Sequence, residues 1–331
     1  MMREPWFWRS DTPAARAVAW CASPLSLLYD AAQRARWRAT TPSASPAPVI
    51  CVGNATLGGV GKTPFIVMLH RLLSNEGVAA HFLTRGYGGA EKGPLIVRPD
   101  THSVSNVGDE ALLLARHGTV WVARDRAAGA KAAAAAGANA ILMDDGFQNP
   151  TIVKTVSVLL IDAADPAGNG RVFPAGPLRE PLARARNRAR ALIAVGPTPE
   201  ASEAAARPFD TPFAAWLEPA DAPAPTRVIA FSGIGVPEKF FATLKRAGFE
   251  IARALSFPDH YAYRKHDLDA LKRLSKELGA PLITTEKDHV RLPARFAETV
   301  KVLPVIMRMN DADALKEVII GAIANFDAAH G

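Results

Sequence analysis

From residue 49 onward, short wholly apolar runs alternate with segments whose apolar residues recur every three or four positions. The first pattern fits strands buried on both faces, the second helices with one core-facing stripe. Strands are predicted over Val49–Val52, Val78–Leu83, Val120–Ala123, Ala140–Met143, Val156–Ile161 and Leu192–Val195. Between them, Lys62–Asn75 carries Phe65, Leu69, Leu72 and Leu73 on one helical face. Glu110–Arg116 and the alanine-rich Ala127–Ala136 also read as helices. This alternation predicts an α/β fold, a mostly parallel sheet flanked by helices. Residues 201–226 are rich in Pro and Ala and weakly periodic. Beyond them a second, smaller α/β unit is predicted. Its strands are Val228–Phe231, Leu282–Thr284 and Val302–Ile306, and its helices Pro237–Ala247, Leu268–Leu278 and Ala314–Ile323.

The polar, Pro-rich stretch Thr40–Pro48 marks a linker. Three segments follow: 1–40, 41–225 and 226–331. The first holds four of the six tryptophans (Trp6, Trp8, Trp20, Trp37) and Arg3, Arg9, Arg16, Arg34, Arg36 and Arg38. Its longest uncharged run, Ala17–Tyr29, is interrupted by Pro24. A spanning helix needs about 20 apolar residues, so this run is too short to cross a bilayer. Glu4 and Asp11 occupy what would be the basic region of a signal peptide. Trp and Arg flanking a short apolar segment suit an amphipathic helix lying in a membrane interface. A helix packed on the protein's own surface is the alternative.

Composition narrows the partners. The chain has 331 residues, 49% of them apolar and 21% charged, enough for a real core and too little charge for a disordered chain. A net charge of +7 suits an acidic partner such as a nucleotide, an anionic lipid or a nucleic acid, and equally suits a generally basic soluble protein. Cys21 and Cys51 form neither a metal-ligand spacing nor a redox pair, which fits a reducing compartment.

The most specific chemistry lies after the first strand, in Val52-Gly53-Asn54-Ala55-Thr56-Leu57-Gly58-Gly59-Val60-Gly61-Lys62-Thr63-Pro64. A glycine-rich loop between a strand and a helix turns backbone N–H groups toward phosphate oxygens. The helix N-terminus adds its positive dipole end. Lys62 is placed to reach the β- and γ-phosphates, and Thr63 to offer its hydroxyl to Mg²⁺. Pro64 is tolerated in the first helical turn. Thr56 stands where the first glycine of the usual pattern would be. The predicted nucleotide-binding residues are therefore Thr56, Gly58, Gly59, Val60, Gly61, Lys62, Thr63 and Pro64, with ATP and Mg²⁺ as cofactors. A metal also needs a carboxylate at a strand end. Ala140–Met143 runs into Asp144 and Asp145, of which one is expected to face the metal. Arg85, after a strand and beside glycines, is a candidate phosphate contact or a surface residue at a turn. Asn169, Arg171 and Arg179 lie in a stretch read as a substrate-proximal loop. Arg184, Arg186, Arg188 and Arg190 form a basic strip, read as a solvated face or a lipid-headgroup contact. Asp109 alone reads as a helix cap before Glu110-Ala-Leu-Leu-Leu.

Taken in order, several stretches resemble the tetraacyldisaccharide 4′-kinases, the lipid A kinases of Gram-negative bacteria. They are VGNATLGGVGKTP (52–64), LTRGYGG (83–89), VGDEA (107–111), DDGFQN (144–149), GNGRVFPAGPLREP (168–181), FSGIGVPEKF (231–240), FPDHYAY (257–263) and TTEKDHVRL (284–292). Asn149 and Ala167 depart from the usual His and aromatic residue. The resemblance implies transfer of the ATP γ-phosphoryl group to the 4′-hydroxyl of a tetraacyldisaccharide 1-phosphate, with Mg²⁺, at the cytoplasmic face of the inner membrane. It implies a P-loop domain, a smaller α/β domain and a membrane-associating N-terminal helix. It places the catalytic Asp at Asp109 and its partner His at His260, alongside Lys62. The implied partners are an acylated disaccharide lipid and the membrane surface. No nucleic-acid motif and no segment requiring a protein partner is present. A membrane-associated switch ATPase of the partitioning or metal-chaperone type shares the GGxGKT core. Leu57, however, stands where many of those proteins carry lysine.

Overall fold

The computed structural model describes residues 4–330. Nine strands form the larger sheet: β1 (Val49–Asn54), β2 (Ala80–Thr84), β3 (Leu95–Ile96), β4 (Val120–Val122), β5 (Ala140–Asp144), β6 (Val156–Asp162), β7 (Ala191–Gly196), β8 (Ala214–Pro219) and β13 (Val305–Met309). Their order is β13-β8-β7-β6-β1-β5-β2-β4-β3, with only the edge strands β3 and β13 antiparallel to their neighbours. The smaller sheet holds β9 (Arg227–Ser232), β10 (Glu250–Ser256), β11 (Leu282–Thr285) and β12 (Val300–Leu303) in the order β10-β9-β11-β12, all parallel.

The continuous apolar runs become the central strands because helices cover both faces. Ile50 and Val52 enter one core while Val49 and Cys51 enter the other. Successive side chains of a strand point to opposite faces, so a strand covered on both sides must be apolar throughout. In such sheets ligands bind beyond the carboxyl ends of the strands. There β1 runs into the glycine loop and helix α2 (Lys62–Asn75), and β5 ends on Asp144 beside Val52 of β1.

The pattern misassigned the chain's end. Val302–Ile306 reads as one strand, yet Pro304 separates β12, in the small sheet, from β13, in the large one. A proline lacks the N–H a central strand needs. The last strand and the helix Ala312–His330 thus return to the large sheet, where that helix packs on α2. The smaller sheet takes only residues 227–303, less than the expected 226–331 unit. β8 falls in the stretch read as a weakly periodic junction, because its outer end is only half buried and its pattern is mixed.

Helix α1 (Pro13–Ala39) is capped by Thr12, whose hydroxyl accepts from Ala15 N at 3.3 Å. Its inner face is small and polar: Ala15, Ala19, Ser26 and Asp30 are buried. Ser26 Oγ donates to Val172 O at 2.7 Å, and Asp30 pairs with Arg184 at 2.8 Å. Just ahead of the helix, Trp8 Nε1 donates to Pro174 O at 3.0 Å. The outer face is apolar, with Trp20, Leu25, Leu27 and Leu28 each more than half exposed. No helix among the described residues is long and apolar enough to cross a membrane.

Candidate active site

Gly61, the N-cap of α2, has φ +91°, a left-handed conformation that favours glycine and turns the chain from loop into helix. Lys62 Nζ donates to Asn54 Oδ1 at 3.0 Å and lies 3.6 Å from Asp145 Oδ1. Asn54 in turn donates to Thr56 O at 2.7 Å, which fixes the loop's entry. Thr56 and Val60 are buried, whereas Gly58 and Gly59 are exposed on the cradle.

The two adjacent acids part ways. Asp144 is 1% exposed, and its Oδ1 is buried with no hydrogen-bond partner. Burial, then the charges of Glu110 and Asp145, push its pKa up to about 7. Asp145 leaves the strand at φ +50° and accepts from Arg179 Nη1 at 2.8 Å. Burial alone would raise Asp145, but Lys62 and Arg179 outweigh it and hold the group well below the usual carboxylate range. Arg179 is brought there by backbone contacts along the loop: Arg179 N donates to Ala55 O and Leu57 N to Pro177 O, both at 2.7 Å.

The donors suit a hard divalent cation. An unpartnered buried carboxylate oxygen on Asp144 and the Thr63 hydroxyl in the first turn of α2 are oxygen ligands, which Mg²⁺ prefers. Among the described residues no three His, Cys, Asp or Glu side chains gather into a cage. Mg²⁺ at such a place takes its remaining ligands from nucleotide phosphates and water.

The smaller unit supplies the facing wall. A Cβ placed on Gly235 would lie 3.2 Å from Gly59 N, so the loop after β9 rests on the glycine cradle. His260 follows β10 in a left-handed turn, φ +55°, held by His260 N donating to Gly233 O at 3.1 Å. Its Nδ1 lies 2.8 Å from Asp109 Oδ2, although the two residues are 151 apart in the chain. Asp109 opens the helix Asp109–Leu114, whose N-cap is Gly108. Its carboxylate also accepts from Arg291 Nε at 2.6 Å. Burial would raise the Asp109 pKa, but the His260 hydrogen bond and the charges of Lys287 and Arg291 reverse this and hold it far below the usual carboxylate range. Next to it, Glu110 Oε1 accepts from Lys287 Nζ at 3.0 Å.

Behind this wall sits Asp288, fully buried. Ser232 Oγ, Gly233 N, Tyr263 OH, Thr285 Oγ1 and Arg291 Nη1 all donate to it, at 2.7 to 2.9 Å. The network locks the ends of β9 and β11, so the rest of the unit orients Lys287 and Arg291.

The structure thus gathers Lys62, Asp145 and Arg179 at the glycine loop, with Thr63 and Asp144 on the same loop and strand end, and brings Asp109 and His260 together where the smaller unit meets the larger. Arg85 is exposed at the end of β2; burial lowers the pKa of Arg126, and the charge of Arg85 adds to that. Asn169 and Arg171 are engaged beneath the N-terminal segment. Asn169 donates to Phe7 O and Ala175 O, and Arg171 Nη1 to Ser23 Oγ at 2.7 Å. The arginine strip is not one face. Arg184 binds Asp30, Arg186 binds Phe209 O, and Arg188 bridges Glu180 and the Trp37 ring. Asn149 Oδ1 accepts from Thr151 N and Oγ1, both at 2.7 Å, closing a local turn. Lys287 falls in Thr284–Asp288, which from sequence could close over the nucleotide or form a salt-bridged turn; it forms an ion pair with Glu110. Asn54, Glu110 and Arg291 were not singled out by sequence reasoning: Asn54 is a neutral residue of the glycine-loop stretch, and Glu110 and Arg291 show only as charges within the GDE and TEKDHVR stretches.

Comparison with known proteins gives the family. The family model for tetraacyldisaccharide-1-P 4′-kinases matches residues 18–324. The tetraacyldisaccharide 4′-kinase of Hyphomonas neptunium is 43% identical over 323 residues, 96% of this chain and 97% of that protein. The corresponding protein of Methylobacterium nodulans is 48% identical, over 95% of this chain and 94% of that one. The crystal structure of LpxK from Aquifex aeolicus in complex with ATP is similar with a TM-score of 0.73 at 30% identity, covering 92% of this chain and 99% of that one. With a glycine-rich loop, a strand-end acid pair and a cross-unit Asp–His contact, and a match along nearly its whole length, the chain belongs to the tetraacyldisaccharide-1-P 4′-kinase family.

Proposed function

We propose that this protein transfers the γ-phosphoryl group of ATP to the 4′-hydroxyl of a tetraacyldisaccharide 1-phosphate in lipid A biosynthesis. The observation that carries the reading is the Asp109–His260 contact, at 2.8 Å, made where the smaller unit meets the larger. Phosphoryl transfer asks little covalent work of a protein; positioning and charge neutralisation dominate. Lys62 supplies positive charge to the β- and γ-phosphates, and Arg179 keeps Asp145 from capturing that charge alone. Asp109 accepts the hydroxyl proton as the bond to phosphorus forms, with His260 Nδ1 orienting the carboxylate and stabilising the developing pair. Thr63 and Asp144 would hold Mg²⁺, whose bound form neutralises charge on the phosphate oxygens. Arg85, at the rim, is a candidate contact for a phosphate of the lipid substrate. Asn169 and Arg171 support the substrate side indirectly, by fastening the N-terminal segment.

The test is incubation with ATP and tetraacyldisaccharide 1-phosphate in detergent micelles, read by mass spectrometry. A mass gain of one phosphate on the disaccharide is expected. ATP hydrolysis without that product would sink the assignment.

We further propose that α1 lies in the interface of the inner membrane, on its cytoplasmic face. The support is the inverted polarity of the helix, polar residues inward and Trp20, Leu25, Leu27 and Leu28 outward. Fully burying one such side chain is worth roughly 1.5–3 kcal/mol. Replacing Trp20, Leu27 and Leu28 by Ser should therefore weaken vesicle binding by at least about 100-fold in a sedimentation assay. Because these side chains face outward, folding should be retained. Undiminished sedimentation with vesicles would refute the interfacial placement.

A further inference from the structure

Lys287 begins from an unusual position for a lysine. It lies in the short helix Glu286–His289 directly after β11, and its side chain is only 20% exposed. Its ammonium donates to Glu110 Oε1 at 3.0 Å and lies 3.3 Å from His260 Nε2 and 4.0 Å from Asp259 Oδ1. The imidazole of His260 is therefore engaged at both nitrogens, by Asp109 at Nδ1 and by Lys287 at Nε2. An ammonium has donors and no acceptor, so the nitrogen facing it must present a lone pair. A carboxylate accepts only, so the nitrogen facing Asp109 must carry the proton. The two neighbours thus select one tautomer between them.

We propose that Lys287 is a positioning residue for phosphoryl transfer: it fixes His260 as the neutral, Nδ1-protonated imidazole aimed at Asp109, and ties that pair to Glu110 beside the nucleotide loop. The inference rests on the reading of Asp109 and His260 as the proton-accepting pair.

The charges around the pair support it. His260 is faced by Asp109 from the helix Asp109–Leu114, by Asp259 from its own loop (Oδ2 3.8 Å from Nε2), by Lys287, and by the Tyr87 ring at 5.3 Å. Arg291 lies on the far side of Asp109. Burial would strip the proton from Lys287, but Glu110, Asp109 and Asp259 outweigh it and keep the ammonium charged. Glu110 is held ionised by Lys287 and by Lys62 of the phosphate loop together. One chain of alternating charge, Lys62, Glu110, Lys287, then His260 and Asp109, so joins the nucleotide side to the acceptor side. Glu110 and Asp109 are adjacent in the larger unit, whereas Lys287 and His260 come from the smaller one. The tautomer is therefore set only where the two units meet. A neutral ring free to rotate would present the wrong nitrogen to Asp109, and a doubly protonated one would hold the carboxylate too tightly to accept a proton.

The test reads the imidazole directly. In protein labelled with ¹⁵N-histidine, with His260 assigned through His260→Gln, the wild type at pH 8 should show a protonated Nδ1 and an unprotonated Nε2. A ring protonated at Nε2 would overturn the proposal without any Lys287 variant. Lys287→Met should mix the tautomers and lower kcat on the order of 10- to 100-fold, as when an outer partner that orients an imidazole is removed. The KM for ATP should change little. Lys287→Arg keeps the charge, and should restore part of kcat and the single tautomer. An unchanged ¹⁵N tautomer pattern in Lys287→Met, or a loss confined to KM, would reduce Lys287 to a structural ion pair and overturn the proposal. If Asp109→Asn transfers phosphate at the wild-type rate, the proton-accepting reading fails and the claimed link to turnover with it. The ¹⁵N result would still report the tautomer independently.

Discussion

Asn in place of Asp109 is expected to lower kcat by about 10²- to 10⁴-fold, the usual worth of a positioned general base. The KM for ATP should hardly move, because Asp109 faces His260 and Arg291, not Lys62. The choice of Asn matters. Arg291 is 3% exposed and shares its charge between Asp109 and Asp288. Alanine at 109 would leave part of that charge without a partner, and breaking a buried ion pair costs about 3–5 kcal/mol. A dead Asp109→Ala enzyme would therefore confound lost chemistry with lost folding. Asn keeps the shape and an acceptor oxygen for Arg291, while the proton-accepting charge is gone. Steady-state kinetics in both substrates, with a thermal melt alongside, separates the two effects. Turnover at the wild-type rate, or a loss only in KM for ATP, would leave Asp109 a structural anchor between the two units.

Lys62→Ala should be more severe, with turnover lowered by about 10³-fold or more, because it removes a positive charge aimed at the transferring group. The native melt should persist. Asp145, the acid nearest Lys62, keeps its 2.8 Å pair with Arg179, and Asn54 still donates to the Thr56 carbonyl. Lys62→Arg should not rescue: the planar guanidinium cannot replace a compact ammonium held at 3.0 Å from Asn54 Oδ1. Appreciable transfer by Lys62→Ala in the micelle assay would mean that the glycine loop serves another purpose.

The N-terminal helix shows how a composition argument and a structural one complete each other. Trp and Arg content suits either a membrane-lying helix or one packed on the protein. The structure shows the packing, with an outer face left uncovered. Arg171, Ser26 and Asp30 dock the inner face, and the outer face is left apolar. A helix that only covered a soluble core would carry the opposite polarity.

Two features written in contiguous residues were legible along the chain alone. The P-loop is one such case, since Gly61, Lys62 and Thr63 are consecutive and one turn at the start of α2 sets where their groups stand. The alternating core strands are another, because burial on both faces forces an unbroken apolar run. The acid pair after β5 was equally legible, but the division between its members was not. Asp145 turns out at φ +50° to meet Lys62 and Arg179, and Asp144 stays buried. Only the tertiary structure could decide the rest. Pro304 sends consecutive residues to different sheets, and no local signal says which sheet receives β13. The contacts of Asp109 with His260 and Arg291, and of Glu110 with Lys287, join residues more than 150 positions apart. Their strength comes from burial and from charges converging from two units. Those quantities depend on distance in space, which periodicity and composition along the chain do not encode.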